Sequence, residues 1–123
     1  MKIREIDPQE DDIFNVLDWM GVTEDDVEIS DVETYPISTF IKQIKEEEAD
    51  PGYNTEKDRA QIDFIKSLLQ AGKRQYPVVA ISGYEGDELI VREGHHRLRA
   101  TYELGIKTIP VIVITERPDV DYD

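Results

Sequence analysis

Apolar positions along the chain change period as the sequence proceeds. Ile13, Phe14, Val16, Leu17 and Met20 fall at helical spacings. Asp11 and Asp12 suit the N-terminus of such a helix and Gly21 its end. Val27-Glu28-Ile29-Ser30 then alternates as a strand does, Asp31-Val32 extends it weakly, and Pro36 interrupts it. Ile37, Phe40, Ile41 and Ile44 return to i+3 and i+4 spacing on a second helix that runs out at Glu46-Glu47-Glu48. Pro51-Gly52 marks a turn, and Ala49 to Asn54 is the segment expected to be most mobile. Thr55 with Asp58 three residues later is a capping arrangement for a third helix. Ile62, Ile65 and Leu69 form its stripe beside Phe64 and Leu68, and Gly72 stands at its end.

After Gly72 the period falls to two. Tyr76 to Ile81 reads as a buried strand, Ser82 to Asp87 as a turn, and Glu88 to Glu93 as a second strand. Gly94 breaks that strand. His96 to Leu104 reads as a short helix closed by Gly105, with Leu98/Tyr102 and Ala100/Leu104 as i,i+4 pairs. Thr108 to Ile114 is the last strong strand, and Pro110 places its first residues at an edge or just outside the ladder. The order of elements predicts an α+β domain: a small mixed sheet with flanking helices, plus an extra acidic helix at the N-terminus.

At 123 residues and 39% hydrophobic content the chain suits one domain with a modest core. It has no cysteine, which excludes disulfides, a cysteine-built zinc site and thiol chemistry. No apolar run approaches ~20 residues, so no membrane span is expected, and Met1 to Glu5 does not resemble a secretory signal. A cytoplasmic protein is the expectation. The net charge of −14 is unevenly spread: residues 1–60 hold 18 Asp/Glu against 6 Lys/Arg, residues 61–123 only 10 against 8. Such a surface repels DNA phosphates, so direct duplex binding by the chain alone is not expected. The acidic first half serves solubility, or it acts as a DNA-mimicking decoy or a face for a basic protein partner.

One constellation carries chemistry: Arg92-Glu93-Gly94-His95-His96-Arg97-Leu98-Arg99. A glycine between strand and helix lets the backbone turn tightly and bring amide N–H groups close to a ligand. The first amides of the helix lack intrahelical partners, and the helix dipole adds partial positive charge. His95, His96 and Arg97 add donors, and Arg97 can grip a phosphate with two parallel hydrogen bonds. Residues 92–107 carry four Lys/Arg against two Glu, so the site is expected to be locally cationic. The structural alternative is a helix cap, with Arg97 and Arg99 paired to carboxylates. A metal site is not expected, because adjacent histidines rarely converge and the chain has no other.

The run Gly94-His95-His96-Arg97-Leu98-Arg99-Ala100, then Tyr102 to Gly105 and Ile109 to Val113, resembles the core of the ParB/sulfiredoxin superfamily. The likeness extends over roughly residues 26–115 and is strongest over 88–113. It implies an N-terminal extension at 1–25 and a ParB/sulfiredoxin-like domain at 26–117; the tail at 118–123 is expected to fray on its own composition. In ParB proteins the matching run is Gly-Glu-Arg-Arg-x-Arg-Ala and holds nucleotide phosphates, which carries over to Gly94, Arg97 and Arg99, with His95 and His96 as the substituted positions. Sulfiredoxins have Gly-Cys-His-Arg with an essential cysteine; His95 stands in that place, which argues against sulfiredoxin activity. Free-serine kinases of this fold are similar at Asp-Gly-His-His-Arg, close to Glu93 to Arg97. The resemblance therefore implies a nucleotide (ATP, ADP or CTP) with Mg²⁺, with Glu93 and His96 as catalytic candidates. Glu28, Asp31 and Glu33 are candidates for a separate general base. A non-catalytic regulatory or DNA-associated adaptor acting through protein partners is the alternative.

Overall fold

The apolar run Ile109 to Ile114 forms the strand on which the others assemble. In the computed structural model, which describes residues 8–82 and 88–116, this strand is β5 (Thr108–Glu116). It pairs in parallel with β3 (Val78–Ser82), which pairs antiparallel with the outer strand β4 (Leu89–Glu93). The opposite side of β5 carries two short antiparallel strands end to end. β1 (Val27–Ile29) lies beside residues 114–116 and β2 (Glu33–Pro36) beside residues 108–111. The result is a five-stranded mixed sheet in an α+β domain, as expected.

β2 was not legible in the sequence, where Pro36 reads as an interruption. Pro36 is its last residue and β2 lies on the outer side of β5, where a missing N–H leaves no gap in the ladder. Between β1 and β2, Ser30 keeps the edge continuous. Its N–H donates to the Val113 carbonyl and its Oγ accepts from the Val113 N–H, both at 2.9 Å. Pro110 opposes Thr34 on β2, while the β3 ladder begins one residue later, at Val78 opposite Val111.

Alternation along the central strands sends side chains to two cores. Val78, Ala80, Val111 and Val113 join Phe40, Ile44 and Leu98 on the face covered by α2 (Ile41–Ala49) and α4 (His95–Glu103). Val79 and Ile114 join Val16, Leu17 and Val27 on the face covered by α1 (Pro8–Met20). The N-terminal helix thus packs directly on the sheet, and α3 (Glu56–Gln70) packs against α4. The expected turn at 83–87 and the frayed tail at 118–123 lie outside the described residues.

Two local features position the site. The segment expected to be mobile, Ala49 to Asn54, is instead a cross-braced corner. Asp50 Oδ1 accepts from the Gly52 N–H, and Asn54 Nδ2 donates to the carbonyls of Glu47, Glu48 and Asp50. A side-chain amide that spans three carbonyls replaces the hydrogen bonds a loop would otherwise seek from water. On the free side of β4, Gln43 of α2 donates from Nε2 to the Val91 carbonyl and accepts the Val91 N–H at Oε1, both at 2.8 Å.

The strand-to-helix corner depends on Gly94. Its φ is 97°, and a Cβ there would lie 2.8 Å from Val78 Cγ1 and 3.3 Å from the Val78 Cα. Val78 is fully buried and cannot yield. Gly94→Ala is expected to destabilise the domain by about 2–4 kcal/mol, from left-handed backbone strain plus overpacking; chemical denaturation measures it.

Candidate functional site

The first turn of α4 sends each polar side chain to a different part of the molecule. His95 Nδ1–H donates to Glu47 Oε2 on α2 at 2.8 Å, and His96 Nε2–H donates to Asp58 Oδ1 on α3 at 2.9 Å. Arg97 donates from Nη1 to the Pro77 carbonyl and from Nη2 to Asp12 Oδ2 on α1, the latter at 2.7 Å. Arg99 donates from Nη2 to Asn54 Oδ1 at 2.7 Å and from Nη1 to the Tyr53 carbonyl at 3.4 Å.

These partners come from patterns the sequence carries outside the glycine turn. Asp12 precedes the buried Val16 by one helical turn, and Glu47 follows the buried Ile44 by three residues, so each is a carboxylate on an inward face. A charge in such a place signals a partner. In the sequence Asp58 is legible only as half of a capping box. It does close that box, accepting from Thr55 while its own N–H donates to Thr55 Oγ1, and its second oxygen serves His96. His96 and then Thr55 hold the Asp58 carboxyl at about 2.

A cavity of about 320 Å³ opens before this turn. Glu93, Gly94, His95, His96 and Arg97 line it from one side, and Gly52, Tyr53, Asp58 and Ile65 from the other. The sequence-derived candidates therefore converge, apart from Arg99. That side chain is 4% exposed, does not border the cavity, and braces the corner at Tyr53 and Asn54. The first bond of α4 runs from the Leu98 N–H to the Gly94 carbonyl, and Gly94 offers no side-chain cap. The amides of His95, His96 and Arg97 accordingly have no acceptor within the helix. The Tyr53 ring leans on the His95 imidazole, with centroids 5.6 Å apart.

The charge of the site differs from the expectation. Counted along residues 92–107 it is cationic; in space, Asp12, Glu47 and Asp58 pair with Arg97, His95 and His96, and Glu93 lines the same cavity. The added carboxylates come from 38 to 85 residues away in sequence, beyond any local count. Burial, and next the nearby Asp12, push the Glu93 carboxyl above its usual range, against the pull of Arg97 and both histidines. Glu28, Asp31 and Glu33 belong to the β1–β2 edge and do not border the cavity. Among the described residues no cluster of three or more His, Asp or Glu is arranged to hold a metal by itself.

Comparison with known proteins yields no relative: no family model, no curated protein and no solved structure matches the chain.

The position of Glu93 has a consequence for stability. A carboxyl whose folded pKa is raised supplies stability below its unfolded value, and that stability is lost as pH rises through the folded value. Glu93→Gln is therefore expected to be more stable than the parent at pH 7 and equal to it well below pH 4.5. Paired urea titrations across that window measure the difference.

Proposed function

We propose that the chain is a nucleotide-binding domain of the ParB/sulfiredoxin kind, with the phosphates received at the Gly94–Arg97 turn. The observation that carries this reading is the cavity set against helical amides that lack acceptors, with Arg97 at its border. Backbone N–H groups at the start of a helix bind phosphate oxygens without reorganising, and the helix dipole favours the negative charge. The volume, about 320 Å³, lies at the lower end of small-ligand sites. Tyr53, half-exposed on the rim, offers a ring face to a base.

Electrostatics narrow the ligand. With four carboxylates around the turn, a bare phosphate dianion meets repulsion, whereas a nucleotide carrying Mg²⁺ brings compensating charge. Glu93 and Asp58 are the carboxylates on the cavity wall that would face such an ion, and the phosphates would complete its coordination. Duplex DNA is not the proposed ligand: the chain is −14 overall, and the turn is acidic in space. No helix of the described residues is long and apolar enough to cross a membrane.

Catalysis, if the bound nucleotide turns over, falls to residues at the turn. Glu93, its carboxyl shifted toward the protonated form, would exchange a proton with a hydroxyl or water, and His96, its ring fixed by Asp58, would donate its backbone N–H to a phosphate oxygen. A second reading, a nucleotide-sensing module without turnover, is favoured by the distance of Glu28, Asp31 and Glu33 from the cavity, which leaves the turn without the separate base the kinase likeness implied.

Calorimetric titration of the full chain with ATP, ADP and CTP, with and without Mg²⁺, followed by product analysis, tests both. Binding is expected with Mg²⁺ and to weaken by about 1.5–3 kcal/mol in Arg97→Ala. Arg97→Lys should fall between, since an ammonium cannot reproduce the planar fork. Silence toward every nucleotide at millimolar concentration would end the binding reading; binding without product would select the sensing module.

A further inference from the structure

We infer that α1 is a built-in competitor for the proposed site: Asp12 occupies Arg97 as a phosphate oxygen would, so phosphate and the docked helix exclude each other there. The inference rests on the nucleotide-binding reading. It concerns regulation of that same turn, through a segment outside the part of the chain that resembles a known family.

The ion pair is specific and sheltered. Asp12 Oδ2 lies 2.7 Å from Arg97 Nη2, and the side chains are 12% and 20% exposed. The other terminal nitrogen, Nη1, is engaged by the Pro77 carbonyl. A two-pronged grip on phosphate draws on neighbouring N–H groups of the guanidinium; one N–H on each terminal nitrogen is already committed to a protein acceptor, and Asp12 also neutralises the charge a phosphate would seek. A carboxylate and a phosphate oxygen ask for the same donors in the same plane.

α1 also holds the arginine on the strand side of Gly94. Arg92 lies over the Trp19 ring, 4.4 Å from its centroid, on the strand that leads into Glu93 and Gly94. One helix thus engages both guanidiniums that flank the glycine corner, through its first half at Asp12 and its last turn at Trp19. Asp12 shares its helical face with Val16 and Met20, which pack with the sheet. Docking of that face and pairing of the carboxylate are therefore one event, because seating α1 with Asp12 unpaired would bury an uncompensated charge. A phosphate that takes Arg97 removes the partner and loosens the Asp12 end of the helix.

Trp19 is the chain's one tryptophan, so its emission reports the helix without a label. The test uses the full chain and its Asp12→Asn and Asp12→Glu variants. Each is titrated with inorganic phosphate and with Mg²⁺–ATP, by calorimetry and by Trp19 fluorescence. Asp12→Asn is expected to bind about tenfold tighter or more, the size of a lost charge-assisted contact. Saturating ligand should shift the Trp19 emission of the parent more than that of Asp12→Asn, which has no charge to leave unpaired. Asp12→Glu, which keeps the charge and tests for simple misfolding, should bind within about threefold of the parent. If the parent binds and Asp12→Asn binds equally or more weakly, Asp12 braces Arg97 and the competition is refuted while nucleotide binding stands. If neither parent nor Asp12→Asn binds either probe, the binding reading fails and takes this inference with it.

Discussion

The structure is organised around one turn of helix whose side chains cannot all point the same way. Successive residues on a helix are separated by about a quarter of a turn, so His95, His96 and Arg97 fan outward in different directions. Each meets an acceptor from another element: Glu47 on α2, Asp58 on α3, Asp12 on α1. Gly94 makes this possible, because its positive φ and its contact with Val78 set where the helix begins. Move the helix start by one residue and every one of these pairs is lost together. The turn is at once the proposed binding element and the clasp that joins the helices.

That double role shapes the energetics. Glu47 and Arg99 are nearly fully buried ions, and each retains one polar atom without a protein partner, Oε1 and Nε. Buried pairs of this sort add little net stability compared with apolar packing, yet losing one member is severe. Stability here comes from the two apolar cores. The polar pairs select which arrangement of helices those cores adopt. The shifts at Glu93 and Asp58 run in opposite directions within one cavity, upward by burial and downward by hydrogen bonding, so two carboxyls of similar chemistry are pushed apart.

Much of the fold was legible because its signals are local. The capping box at Thr55 and Asp58, the glycines at the ends of α1, α3 and α4, and the alternation in β3 and β5 all appear within a few residues of the element they define. β2 was missed because its four residues expose most side chains and so show no alternation. The corner at 50–54 was misread because its composition is that of a loop, while its order comes from Asn54 and Arg99, whose partners are fixed only by the fold. The site shows the same division. The glycine and the donors that follow it are contiguous in sequence and were found. The carboxylates that reverse the local charge arrive from three other helices, and only their odd placement on apolar faces hinted at them.

Gln43 illustrates how a single side chain can settle the fate of an open sheet. β4 is an edge strand, and an edge strand offers its free N–H and C=O groups to any extended peptide nearby. The Gln43 carboxamide has the same donor and acceptor as a peptide unit, and it presents them to Val91 as a neighbouring chain would. This side of the sheet therefore ends against a decoy backbone, which makes lateral pairing with another chain unfavourable at Val91. Because the same amide also donates to Glu47, the residue that holds His95, protection against self-association is wired to the geometry of the turn.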